Sequence, residues 1–278
     1  MDVTARCYGC LRGLVEKTVS LSGGDGAAFS STIGLLDRLY AAHATPPAIA
    51  NRLLAHIKER TGCYDPFEPI KKIELERARS ARVRLESRFE PTLLGALTSS
   101  ALGNSTDFFV EGAFDPDDFR FYIDLDKIEE EIYTKKGMAL ILGDNVGDFF
   151  FDIPLIRFLE GLGRHVFYAV REHPVQNDLS MKEVASYQLG EMHGNIISTG
   201  TAEVGITREQ ITGAVKNLWE ADGVVIAKGM GNYETISQFD PGRTIIHIMK
   251  IKCEAVAEDV GRPVGSYITI SLGEENGG

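Results

Sequence analysis

The sequence predicts an α/β protein: a helical N-terminal region followed by a mainly parallel β-sheet. Three observations carry that prediction. Before residue 137, apolar residues recur at helical spacing. After it, six short apolar runs alternate with helical segments, the rhythm of βαβ units. Those runs carry few polar interruptions, as parallel strands covered on both faces require. The chain accordingly divides into a helical region over 1–136 and an α/β domain over 137–278.

Along the chain, Ile49, Leu53, Leu54 and Ile57 form one apolar stripe between Pro46-Pro47, which suit a first helical turn, and Gly62, which suits a helix end. Ile70–Phe89 is rich in Glu, Lys, Arg and Leu and reads as a long solvated helix. Further helices are expected over Thr92–Ala101 and Asp124–Lys135. No strand is expected before residue 137, since Phe108–Val110 is too short. The expected strands are Met138–Leu142, Val166–Val170, Ile196–Thr199, Val224–Ala227, Ile245–Met249 and Tyr267–Leu272. Ser180-Met181-Lys182-Glu183 is a capping box opening a helix, and Thr207-Arg208-Glu209-Gln210 is a second, followed by the stripe Ile211, Val215, Leu218 and Trp219. The tail from Gly273 to Gly278 is expected to fray.

Composition narrows the class. With 278 residues, the length fits about two domains, or one large α/β domain with an appendage. The 44% hydrophobic content excludes collagen, low-complexity disorder and small disulfide scaffolds. No apolar run approaches the roughly 20 residues that span a bilayer. The start MDVTARCYGC lacks the basic and apolar regions of a signal peptide. A soluble, cytoplasmic protein with no membrane partner is expected. The net charge of −11 disfavours a nucleic-acid partner, which calls for a basic face. It still permits an anionic small substrate, because a lysine and a cation in a pocket outweigh surface charge screened over about 8–10 Å.

The informative residues follow the strands. In a parallel sheet all carboxyl ends share one edge, where ligands of open α/β folds bind. Gly143-Asp144-Asn145-Val146-Gly147-Asp148 follows the first strand, and Gln176-Asn177-Asp178 follows the second, just ahead of the Ser180 cap. Thr199-Gly200-Thr201 follows the third, Lys228-Gly229-Met230-Gly231-Asn232 the fourth, and Lys250, Lys252 and Cys253 the fifth. Asp144, Asn145 and Asp178 are hard oxygen ligands suited to magnesium or manganese. Lys228 beside Gly229 has the make-up of a phosphate grip, an ammonium next to exposed backbone N–H groups. Thr199, Gly200 and Thr201 add hydroxyl and N–H donors. Singly, such residues more often make turns, helix caps or solvated charges; together, at four successive strand ends, they point to metal-assisted phosphoryl chemistry. No G-x-G-x-x-G follows the first strand, so a nicotinamide site is not expected.

Asp144-Asn145-x-Gly147, Asn177-Asp178 and Lys228-Gly229-x-Gly231-Asn232-Tyr233-Glu234 resemble the metal-dependent damage-control phosphatases, the family that includes the ARMT-like proteins. Ala101–Asp107 resembles that family's Gly-Asn-x-x-Asp segment, Asp65-Pro66-Phe67 with Lys71 its Asp-Pro-Tyr element, and Lys252-Cys253 with Pro263-Val264-Gly265 its C-terminal signature. The N-terminal C-x-x-C resembles the mainly prokaryotic branch. Asp148 stands where the prokaryotic pattern often has Glu, and Phe67 stands where it has Tyr. The resemblance implies a Rossmann-like αβα sandwich with a helical N-terminal part. It also implies hydrolysis of small phosphomonoesters, such as sugar phosphates or other phosphorylated metabolites, with a divalent metal (Mg, Mn, Co or Ni). Asp144, Asn145 and Asp178 would be the metal ligands and Lys228 the phosphate holder. Gly229, Asn232, Asn104 and Asp107 would join Thr199, Gly200 and Thr201 around the substrate.

Two alternatives stand beside this. An aspartyl-phosphate route through Asp144 ranks lower, because the second acid of an Asp-x-Asp pair is absent: Val146 stands there. A non-catalytic module binding a nucleotide or sugar phosphate is distinguished by the absence of metal-dependent turnover. Separately, Cys7, Cys10, Cys63 and Cys253 would make a second metal or cluster site if the helical region folds beside Cys253. The bland reading is four reduced thiols. Among the histidines, His56 and His165 read as structural, and none has zincin spacing.

Overall fold

The computed structural model describes residues 3–42, 44–105 and 119–273. Asp107, Phe108–Val110 and the tail beyond Gly273 lie outside them. Three helices come first: α1 (Cys7–Leu21), α2 (Gly26–Ala41) and α3 (Pro46–Thr61). They pack on one another around Leu11, Val15, Leu36, Ile49, Leu53 and Ile57. Gly62 ends α3 in the left-handed conformation at φ +69, which glycine adopts without a Cβ penalty.

Helix α4 (Glu68–Leu85) corrects the expectation of a solvated helix. It buries Lys71, Glu74, Leu75, Ala78 and Ala81. These recur at helical spacing, but the first turn of the stripe is charged, which hides it in a sequence rich in Glu, Lys and Arg. Helix α5 (Leu93–Gly103) is capped by the Thr92 hydroxyl, which accepts from Gly95 N. Strand β1 (Phe121–Ile123) is a second correction, since no strand was expected so early. Three half-buried residues show no period of their own; partnership with a distant strand makes them a strand. Helix α6 (Leu125–Thr134) follows, burying Ile128 and Ile132 one turn apart.

The remaining strands are β2 (Met138–Leu142), β3 (Val166–Val170), β4 (Ile196–Ser198), β5 (Gly223–Lys228), β6 (Ile245–Lys250) and β7 (Tyr267–Leu272). Helices α7 (Asp148–Gly161), α8 (Met181–Ser186), α9 (Gly213–Glu220), α10 (Gly229–Ile236) and α11 (Glu254–Val260) alternate with them. Both capping boxes form, but the second opens only a short 3-10 turn, Arg208–Gln210, before α9 begins at Gly213.

The seven strands make one sheet in the order β1-β7-β6-β5-β2-β3-β4. β6, β5, β2, β3 and β4 are mutually parallel, whereas β7 runs antiparallel to β6 and carries β1 parallel to itself. Alternate strand residues face opposite layers. Ala139, Ile141, Val224 and Ile226 join a core with α4 to α8, and Met138, Leu140, Leu142 and Val225 join another with α9 and α10. The architecture is therefore a Rossmann-like αβα sandwich. From β2 the chain winds outward to β3 and β4, then returns to place β5 against the other side of β2. The carboxyl ends of β2 and β5 form the topological switch point, where open α/β sheets leave a crevice.

Candidate metal and phosphate site

Leu142 of β2 pairs with Ala227 of β5, so Asp144 and Gly229, two residues further along each strand direction, meet across the switch point. Gly229 has φ +76, and a Cβ there would sit 1.9 Å from Asp144 Oδ2. The Asp144 carboxylate thus lies against the bare Gly229 backbone. Asn232 closes the same junction: its side-chain amide donates to Lys228 O (2.7 Å) and Gly143 O (3.3 Å).

The loops after β2 and β3 are zipped together. Asn145 and Asp178 form an isolated antiparallel bridge. Val146 N donates to Asn177 O (2.9 Å), and Leu179 N donates to Asp144 O (2.8 Å). Asp144, Asn145 and Asp178, remote in sequence, are therefore brought together, and all three are buried. Asn104, at the end of α5, donates through Nδ2 to Asp144 Oδ2 and to Asp148 Oδ2, 2.8 Å each. Its oxygen accepts from Lys250 N (3.1 Å). Asn145 Nδ2 also reaches Asp144 Oδ2 (3.0 Å) and Asp148 Oδ1 (3.3 Å). The bonds Asp144 receives from described side chains all fall on Oδ2. Arg171, the residue after β3, donates through Nε to Asp178 Oδ2 (2.9 Å) and through its NH1 group to Gly205 O (2.7 Å).

Electrostatics mark the same place. Burial pushes the Asp178 carboxyl up to about 6 although Arg171 opposes it; Asp144 pushes it further up. Burial raises Asp148 well above the usual carboxylate range, with Lys228 opposing and Asp144 and Asp152 reinforcing. Burial pushes Glu74 of α4 up to about 7 against Asn177 and Lys252. Carboxylates crowded this way are costly unless a cation compensates. The donor set, two carboxylates and an amide oxygen, fits a hard divalent ion.

Lys228 requires a correction. It was expected to present its ammonium to a phosphate, but it is fully buried and donates to Ser100 O (2.5 Å), Ser100 Oγ (2.7 Å) and Asp152 Oδ1 (2.8 Å). An ammonium has three protons, and these acceptors match them. Asp148 lies 3.9 Å away, and Asp152 also accepts from Tyr168 OH (2.7 Å). Lys228 therefore neutralises the buried carboxylates of Asp148 and Asp152. Asn232 and Asn104 likewise hold protein groups rather than open space. Thr199 is buried and Gly200 exposed, and Thr201 O accepts from Glu172 N (2.8 Å), tying this loop to the one after β3.

The four-cysteine site is not assembled. Cys10, Cys253 and Cys7 lie close enough that their charges, with that of Glu234, push the Cys10 thiol in the same upward direction as burial. Cys63 stands elsewhere, beside Lys58. Among the described residues no group of three or more His, Cys, Asp and Glu side chains is arranged to hold a metal ion. Arg171, Glu74, Asp152 and Ser100 were not singled out from the sequence. Arg171 had a signal, an arginine at the edge where the other site residues lie; Glu74 had none, being one acid among many in α4.

Fold and site together define a class: a Rossmann-like α/β protein with a cluster of buried acids and amides at its switch point. The profile of the damage-control phosphatase ARMT1-like domain matches residues 3–268, and the chain belongs to that family. It is 28% identical over 283 residues to a damage-control phosphatase of Pyrococcus horikoshii, covering 96% of this chain and 97% of that one. It is 25% identical to a damage-control phosphatase of Archaeoglobus fulgidus, covering 96% and 98%. The crystal structure of a DUF89 family protein from Pyrococcus horikoshii superposes with a TM-score of 0.85 at 27% identity, over 97% of this chain and 99% of that one.

Proposed function

We propose that the protein is a metal-dependent phosphatase that hydrolyses small phosphomonoesters, sugar phosphates or other phosphorylated metabolites. Asp144, Asn145 and Asp178 would hold a divalent ion. The observation that carries this reading is the bridge between Asn145 and Asp178, which gathers two carboxylates and an amide at the switch point. Family membership supports the phosphatase class.

Such an ion, when bound, supplies Lewis acidity toward a phosphate oxygen and lowers the pKa of a water. The chain's own residues set the stage for that chemistry. Asn104 and Asn145 occupy one oxygen of Asp144 and so orient the carboxylate. Arg171 does the same for Asp178. Lys228 offsets the charge of Asp148 and Asp152, keeping the acidic cluster tolerable beneath an anionic substrate. The backbone N–H groups opening α10 at Gly229 and the loop Thr199–Thr201 are donors for phosphate oxygens. Lys252 is exposed, and its charge opposes the upward push that burial gives Glu74.

The test is phosphate release from p-nitrophenyl phosphate and a panel of sugar phosphates, with and without Mg, Mn, Co or Ni. The expected outcome is metal-dependent turnover that Asp144→Ala reduces at least roughly 100-fold. Full activity in that variant would remove the proposed site. Tight phosphate-ligand binding with no turnover on any metal would favour the non-catalytic alternative.

A further inference from the structure

Glu74 belongs to α4, in the helical region, yet its side chain reaches both metal-site loops. It is fully buried. Its Oε1 accepts from Gly147 N (3.4 Å) in the loop after β2, and its Oε2 accepts from Asn177 Nδ2 (3.2 Å) in the loop after β3. The same Asn177 amide donates to Asn145 Oδ1 (2.7 Å).

This chain of contacts has a direction. Both Glu74 oxygens act as acceptors, so the end of the Asn177 amide that faces Glu74 is its NH2 group. Both Asn177 protons are then assigned, one to Glu74 and one to Asn145. That in turn settles the Asn145 amide: its oxygen lies on the Asn177 side and its NH2 group faces Asp144 and Asp148. An amide oxygen has two lone pairs, so one stays open to a cation while Asn177 occupies the other. We propose that Glu74 is a positioning residue of the metal site, orienting the Asn145 oxygen through Asn177 and bracing the Gly147 turn. The inference rests on the metal-site reading above and extends it to a residue on a different element.

The role also explains why a carboxyl sits there. An apolar side chain of similar size would fill the space without the desolvation cost of a buried acid. Partners one shell out from a metal ligand are typically worth about 10–100-fold in affinity or activity.

The experiment compares wild type, Glu74→Gln, Asn177→Ala and the double variant. Mn²⁺ alone is the binding probe, titrated by electron paramagnetic resonance. The Mn²⁺ concentration for half-maximal p-nitrophenyl phosphate hydrolysis and the metal-free melting temperature are measured alongside. Glutamine offers one acceptor where glutamate offers two, so one loop loses its tie. The expected result is a roughly 10–100-fold weaker Mn²⁺ half-saturation in each single variant, with the double variant no worse than either, because both break one relay. The metal-free melting temperature of Glu74→Gln is not expected to fall. Unchanged Mn²⁺ half-saturation in Glu74→Gln overturns the proposal, as does a drop in melting temperature alone. Should Glu74→Gln fail to fold, Asn177→Ala decides by the same criterion. A wild-type protein that binds no Mn²⁺ overturns the metal-site reading itself. A wild type that binds Mn²⁺ alongside a variant that binds it equally overturns only the role of Glu74.

Discussion

Asp144 and Gly229 show how closely the site depends on single atoms. The carboxylate occupies the volume that any side chain at position 229 would need, and the backbone there has positive φ. Gly229→Ala therefore faces two penalties: about 1–2 kcal/mol of left-handed strain and a clash with a proposed metal ligand. Gly242→Ala meets only the first, since its φ is +65 and nothing lies within 4 Å of its would-be Cβ. Both should lose stability in urea unfolding, Gly229→Ala the more because the clash adds to the strain. Phosphatase activity should fall roughly 10–100-fold in Gly229→Ala alone. Equal activity in the two would mean that Asp144 does not need its place over Gly229. The sequence made this pair visible only as two residues after two strands; their contact needs the strands to be neighbours and in register.

At the scale of elements, α4 is where pattern reading misled. Lys71 and Glu74 occupy the buried stripe, and each has a partner far along the chain. Lys71 donates to Asp65 Oδ2 (2.8 Å) and Glu183 Oε1 (2.6 Å), and all three side chains are nearly inaccessible. Glu183 is the acid of the α8 capping box and accepts from Ser180 N (3.2 Å). The loop before α4 and the start of α8, just past Asp178, are thus locked by one ion network. Removing Lys71 leaves buried Glu183 without its cation, while Asp65 keeps Lys182 (2.9 Å); losing one partner of a buried pair typically costs about 3–5 kcal/mol. Lys71→Met should lose stability of that order in urea unfolding, and a change under 1 kcal/mol would contradict the network's role. Helices whose apolar stripe is intact, such as α3, were legible. A stripe begun by Lys and Glu reads as surface until the partners are known.

For the molecule as a whole, the switch point concentrates buried acids in a chain already carrying −11. Glu74 illustrates the consequence. Its carboxyl binds a proton more tightly in the folded state, at about 7 against the ordinary 4.5. For a carboxyl raised on folding, stability is full below its unfolded pKa and is lost as pH climbs through the folded one. Metal-free wild type should therefore lose about 2 kcal/mol more than Glu74→Gln between about pH 5 and about pH 7.5. Chemical unfolding of chelator-treated protein measures this difference, and parallel pH profiles would contradict it. A divalent cation that binds only the folded state should raise the neutral-pH stability of wild type by about 2.7 kcal/mol at a hundred times its dissociation constant. Among the described residues no helix is long and apolar enough to cross a membrane.

Local pattern was enough for the six main strands, both capping boxes, the ends of α3 and the set of acids and amides after the strands. These depend on residue type and spacing within a few positions, which a linear chain displays. Tertiary structure alone decided that β7 runs backwards, that Phe121–Ile123 is a strand, that Lys228 faces inward to Ser100 and Asp152, and that Glu74 reaches the site. Each of those depends on which distant group stands opposite, and the direction and burial of a side chain follow from its partners rather than from its neighbours in sequence.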